Sequence, residues 1–227
     1  MAVTGATLRL AMVTIDAVNE VALRAGEVVL RHYRARDTWV REKTDGSPVT
    51  GVDLAAEAII RDGLLRLDDT IPYLSEEHEL PTYEVRRAWS RYWLVDPLDG
   101  TSNFLHGIPH FAISIAVQEP KLGGGGWDDV SAAVIYNPVT DETFWAEKSR
   151  GAWLHDGRLR VSARRGLSEA LVATGIPFQG HGNFSEWSKI FAAIGPQVAG
   201  IRRYGAASLD LAWLAAGRFD AFWETGL

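Results

Sequence analysis

A chain of 227 residues, 47% hydrophobic and 23% charged, is long enough for one large domain or two modest lobes around a sizeable core. A formal net charge of −6 gives no basic footprint for nucleic acid, so an anionic ligand must meet a local positive centre, for which a metal ion is one source. The absence of cysteine excludes disulfides, thiol catalysis and thiolate metal sites, and fits a cytoplasmic chain whose metal ligands would be oxygen or imidazole.

Over residues 8–33, apolar side chains at Leu8, Met12, Ile15, Val18, Ala22, Ala25, Val28 and Val29 recur every three or four positions and predict a long amphipathic helix. Arg9, Asp16, Glu20 and Arg24 break its apolar runs before they reach the length of a signal segment or membrane span. Residues 43–48 read as a turn. Leu54, Ala55, Ala58, Ile59 and Leu65 then predict a second helix, with Thr50 or Asp53 as N-cap. Residues 71–74 and 92–95 read as buried strands that end in carboxylates, the first at Glu76 and the second at Asp96, where Pro97 is expected to stop it. A meander follows in residues 111–117, 131–136 and 143–146. The loop 121–129 holds four consecutive glycines but leads into a strand, so it reads as a hairpin connection and not a phosphate cradle. After Gly151 short strands alternate with helices: residues 171–175 as strand and turn, 185–194 and 208–216 as helices. Residues 1–145 are expected to form an N-terminal α+β lobe carrying the site, and residues 146–227 a C-terminal α/β lobe. The nine tryptophans read as packing residues, and the six histidines, lacking ligand spacing, as structural or exposed.

The segment Asp96-Pro97-Leu98-Asp99-Gly100-Thr101 concentrates the chemistry. Two carboxylates follow a buried strand, and Gly100 lets the chain turn so that both can face one point. Clustered carboxylates without a thiol suit magnesium, which takes oxygen ligands and completes its shell with water and phosphate. If Gly100-Thr101-Ser102 opens a helix, its amides face an anion held beside the metal. The competing reading is a plain Asp-Pro turn with an Asp-Gly step on the surface, and the residues alone do not choose.

The run Trp93-Leu94-Val95-Asp96-Pro97-Leu98-Asp99-Gly100-Thr101-Ser102-Asn103-Phe104 resembles the signature of the inositol monophosphatase family. The stretch from Lys43-Thr44-Asp45-Gly46-Ser47-Pro48 to Asp53 resembles it too, as do Leu74-Ser75-Glu76-Glu77 and Gly205-Ala206-Ala207-Ser208-Leu209-Asp210 leading to Phe222-Trp223-Glu224, all in family order. The resemblance implies an α-β-α-β-α layered sandwich of the inositol monophosphatase and fructose-1,6-bisphosphatase type. It implies two or three magnesium ions held by Glu76, Asp96, the Leu98 carbonyl and Asp99, with Asp96 bridging. Glu76 and Thr101 would orient the attacking water, with Asp53 easing its deprotonation. Asp99, Gly100, Thr101 and Ser102 would meet the phosphate, Gly205, Ala207 and Glu224 the alcohol half, and Lys43 would lie nearby. Without the resemblance, Glu76 could be a merely solvated carboxylate, and Glu224 could instead pair with Arg202 or Arg203.

The implied activity is magnesium-dependent hydrolysis of a small phosphate monoester, inositol monophosphate first. The 3',5'-bisphosphate nucleotidase and histidinol-phosphatase activities are alternatives on the same scaffold, with fructose 1,6-bisphosphate a further option. An accessory role on the transcription machinery is an alternative of another class. The resemblance further implies lithium sensitivity and a homodimer; neither a membrane nor direct nucleic-acid binding is expected. Relatives continue with a Pro-Trp-Asp segment past the position of Leu227, so the C-terminal lobe and the second metal site are expected to be cut short here and the fragment weakly active.

Overall fold

The computed structural model describes residues 14–35, 39–42, 48–119, 129–177 and 182–225. Helix α1 (Ile15–Ala35) buries Val18, Ala22, Ala25 and Val29, the stripe expected from the sequence; the part of that pattern before Thr14 lies outside the described residues. Strands β1 (Val40–Glu42) and β2 (Pro48–Thr50) pair antiparallel ahead of α2 (Gly51–Leu67). Thr50 caps α2: its hydroxyl accepts from the amides of Val52 and Asp53, while its own amide donates to the Asp53 carboxylate at 2.8 Å. The two candidate caps thus form one reciprocal box, which fixes the Asp53 carboxylate at the start of the helix.

Strands β3 (Tyr73–Ser75), β4 (Tyr92–Asp99), β5 (Ala112–Glu119), β6 (Asp129–Asn137), β7 (Glu142–Glu147), β8 (Gly151–Leu154) and β9 (Gly157–Arg158) form one sheet in sequence order. Short helices α3 (Tyr83–Arg86) and α4 (Thr101–Leu105) stand before and after β4. The β3–β4 pair is parallel and the rest are antiparallel. Against expectation, Pro97 does not end β4. The strand runs on to Asp99, with its register to β5 shifting between Asp96 and Asp99. An irregularity at that place absorbs the donor that proline lacks and re-aims the neighbouring side chains. The glycine-rich loop falls mostly outside the described residues.

One face of the sheet is sealed by α1 and α2, with Trp93, Phe111, Ile113 and Ile115 fully buried beneath them. On the other face Ala112 and Phe144 pack against Leu209 and Ala212 of the helix Ala207–Ala215 and against Ala206, which caps it. A second, parallel sheet follows, of β10 (Leu171–Thr174), β11 (Gly200–Arg202) and β12 (Ala221–Trp223) in the order β11-β10-β12, with α5 (Phe184–Ile194) and α6 (Ala207–Ala215) between its strands. Helices and sheets therefore alternate in layers, as the sequence resemblance implied. A boundary at residue 146 would cut through β7. The meander continues to Arg158, and the change of sheet falls between Arg158 and Leu171, because β8 and β9 extend the first sheet instead of founding the second.

Candidate active site

The C-terminal ends of β3, β4, β10 and β12 and the starts of α4 and α6 meet in a cleft of about 220 Å³, and the start of α2 reaches its Thr101 through Asp53. Its lining includes Glu76, Asp99, Gly100, Thr101, Ser102, Gly175, Arg203, Gly205, Ala207, Asp210 and Glu224. Most residues singled out from sequence are thus brought to one place. Lys43 falls outside the described residues.

Gly100 makes the turn possible. Its φ is +92°, and a Cβ there would stand 3.0 Å from the His110 carbonyl oxygen and 3.2 Å from Ala206 Cβ, so only glycine fits both the conformation and the space. Helix α4 does open at Thr101, but it has five residues, too short for a substantial dipole. Any anion held there rests on individual amides. Asn103 ties the segment to the second sheet's side of the cleft by donating to the carbonyls of His110 and Tyr204, both at 2.7 Å.

The Thr101 hydroxyl lies 3.0 Å from both Asp53 Oδ1 and the Leu98 carbonyl. Both are acceptors, so its single proton is committed to one of them and its lone pairs remain available to a water. Asp99 Oδ2 accepts from the Ser208 amide at 2.7 Å and from the Ser208 hydroxyl, which holds that carboxylate from α6 and leaves Oδ1 for another partner. Asp96 Oδ1 accepts from the Leu98 amide at 3.0 Å, and its carboxyl is in hydrogen-bond contact with Glu76. The Glu76 amide donates to the Val95 carbonyl at 3.1 Å, so this residue, directly after β3, prolongs the pairing with β4.

These carboxylates strain one another electrostatically. Asp96 is pushed well above the usual carboxylate range, first by burial and then by the charges of Asp99 and Glu76. Burial also raises Asp99, against the pull of its two Ser208 hydrogen bonds, with Glu76 and Asp210 adding to the rise. Asp53 is raised by burial and drawn back by Thr50 and Thr101. Glu224 is raised by burial, Arg203 lowering it and Asp210 and Asp99 raising it. The lining holds the carboxylates of Glu76, Asp99, Asp210 and Glu224 against the guanidinium of Arg203. A phosphate could not enter this field without added positive charge.

The donor set fits magnesium. Carboxylates and the Leu98 carbonyl supply hard oxygens of the kind magnesium takes, while among the described residues no three His, Cys, Asp or Glu side chains converge tightly enough to hold a metal ion by themselves, so water and phosphate oxygens would have to complete the shell.

Several partners of the site were not foreseen from sequence. Ser208, Asn103 and Asp210 lie in or beside the recognised motifs, but their contacts span the fold, Ser208 to Asp99 across 109 positions. Of the two arginines weighed for Glu224, Arg203 lines the cleft. Glu224 packs over Gly175, where a Cβ would fall 1.6 Å from its Oε1. A glycine directly after a strand was the available signal.

Comparison with known proteins agrees with the geometry. The model of the inositol monophosphatase family matches residues 11–227. An inositol-1-monophosphatase of Rhizobium meliloti is 43% identical over 210 residues, 92% of this chain and 75% of that protein. The Nus factor SuhB of Pseudomonas aeruginosa is 44% identical over 91% of this chain and 76% of its own length. Among solved structures, extragenic suppressor protein suhB of Bartonella henselae superposes with a TM-score of 0.82 at 40% identity, covering 94% of this chain and 78% of that one. The chain belongs to the inositol monophosphatase family. With that family it is a phosphoric monoester hydrolase. Among the described residues no helix is long and apolar enough to cross a membrane.

Proposed function

We propose that the chain is a magnesium-dependent phosphatase that hydrolyses a small phosphate monoester, with inositol monophosphate the favoured substrate. The observation that carries this reading is the cluster of Glu76, Asp96 and Asp99, in which burial and neighbouring negative charge raise Asp96 and Asp99, beside a cleft whose lining holds more carboxylates than cations. Glu76, Asp96, the Leu98 carbonyl and Asp99 would hold two or three ions. When bound, magnesium supplies the positive charge that phosphate requires and makes a water acidic enough to attack.

The protein's own groups do the rest. With the Thr101 hydroxyl donating to Asp53, its lone pairs would be presented to a water, for which Glu76, in the same cleft, would be the proton acceptor. Amides of Gly100, Thr101 and Ser102 bear on the phosphate oxygens, and Asp99 is steadied by Ser208. Gly205, Ala207 and Glu224 face the alcohol half, with Glu224 held over Gly175. Lithium sensitivity, a homodimer, a cytoplasmic location and a nearby Lys43 belong to the same proposal.

A phosphate-release panel with inositol 1-phosphate, adenosine 3',5'-bisphosphate, histidinol phosphate and fructose 1,6-bisphosphate, with and without magnesium, tests it. Fastest release from inositol 1-phosphate, only with magnesium, is expected; magnesium-independent release would count against the proposal. Similarity to Nus factor SuhB supports a second role as an accessory factor in transcription. Asp99→Asn separates the two: phosphate release should be lost, while a partner captured by the parent protein should still be captured.

A further inference from the structure

Two carboxylates of α2, Asp53 and Glu57, are buried one helical turn apart on the same face of the helix. Asp53 reaches Thr101. Glu57 is only 4% exposed, and its Oε1 makes no hydrogen bond among the described residues. Burying a polar oxygen without a hydrogen bond is costly, so the group that faces it matters. The basic group facing Glu57 Oε1 is His78 Nε2, 3.5 Å away. The His78 ring also stands edge-on to Tyr73 of β3, with centroids 6.5 Å apart.

His78 closes the turn that carries Glu76. That turn begins at Ser75, whose hydroxyl accepts from the Glu77 amide at 3.3 Å and whose carbonyl accepts from the His78 amide at 3.4 Å. At its start the turn is held by β3 pairing with β4 and by the Glu76 amide on Val95. Towards its end the turn meets α2 through His78 and Glu57. Helix α2 therefore spaces two parts of the cleft through carboxylates four residues apart: Asp53 sets Thr101, and Glu57 sets the Glu76 turn through His78.

We propose that Glu57 is a positioning residue, acting through His78 to hold the Glu76 carboxylate against Asp96 in the orientation magnesium requires. This rests on the metal reading given above. The test is magnesium titration by calorimetry on the whole chain for Glu57→Gln, His78→Gln, their double variant, and each placed in a Glu76→Gln background. Residues behind a metal ligand typically contribute roughly tenfold to a hundredfold in metal affinity. Each single variant is expected to bind magnesium at least about tenfold more weakly. The double variant should lose no more than the worse single, and neither change should matter once Glu76 is Gln. His78 is half-exposed, so its variant keeps the test available if the buried Glu57 change prevents folding. Unchanged affinity in a folded His78→Gln protein overturns the proposal, as does a loss that persists at full size in the Glu76→Gln background. If the parent protein binds no magnesium, the metal reading falls and this inference with it; normal binding by the parent and by both variants overturns this inference alone.

Discussion

In the first sheet α1 and α2 enclose Trp93, Phe111, Ile113 and Ile115 completely, whereas beside the second sheet α5 buries none of its residues and leaves Phe184 and Phe191 exposed. The groups proposed to hold metal and activate water come from the first region, and most of those proposed to face the alcohol half come from the second. The difference is physical. Carboxylates that repel one another stay together only on a mount that costs more to deform than the repulsion releases, and a deeply packed sheet edge is such a mount. Contacts with the alcohol half carry no such strain and tolerate a thinner scaffold. The first region should therefore govern stability and chemistry, and the second the choice of substrate.

The sharpest contrast is in the core. Phe111→Ala removes a fully buried ring beneath the helices and is expected to destabilise the protein by about 3–5 kcal/mol, read from denaturant unfolding. Next in size, Asp96→Asn should slow phosphate release by about two to three orders of magnitude while leaving the far-ultraviolet circular dichroism spectrum unchanged. A residual rate near the parent's would mean that the first region does not carry the chemistry.

Smaller effects are expected across the cleft. Gly175→Ala places a methyl where Glu224 sits, so steady-state kinetics should show KM raised by about tenfold with kcat much less affected, the mark of a lost ground-state contact. A fall in kcat alone would show that Glu224 acts on chemistry instead. Smallest of all, Phe191→Ser on the exposed side of α5 should change unfolding free energy by no more than about 0.5 kcal/mol. A large loss there would show that the second region is packed more tightly than its exposure indicates.

The sequence disclosed what is local. The stripe of α1, an N-cap for α2 at Thr50 or Asp53, and the turn at Gly100 follow from spacing within a few residues; the structure shows the stripe and the turn, and resolves the cap to Thr50 with Asp53 answering it. Two local rules yield to the fold. Proline usually stops a strand, but a register shift accommodates Pro97 in β4; the short strands after Gly151 point to a new lobe, but β8 and β9 prolong the meander. Contacts that depend on packing are not fixed by local spacing, even where, as at Gly175 after its strand, a single residue marks the place. Ser208 on Asp99, Asn103 on Tyr204 and Glu224 over Gly175 join residues far apart in sequence, and only the docking of α6 and the second sheet onto the first brings them within reach. Family motifs marked the carboxylates themselves but not what holds them.

Whether the first region is mounted under electrostatic strain that a cation relieves is read from thermal unfolding of the parent and Asp96→Asn proteins in chelator and in magnesium. The folded-state pKa of Asp96 lies above its unfolded value, so its charge opposes folding at neutral pH, and that opposition fades as pH falls through the raised pKa and the carboxyl takes up a proton. In chelator at pH 8, Asp96→Asn should therefore melt higher than the parent, and the gap should shrink on acidification. In magnesium the order should reverse, because binding to the folded state stabilises the parent while the variant has lost a ligand. A parent melting temperature that magnesium leaves unchanged, or a variant that melts below the parent in chelator at pH 8, would contradict the account.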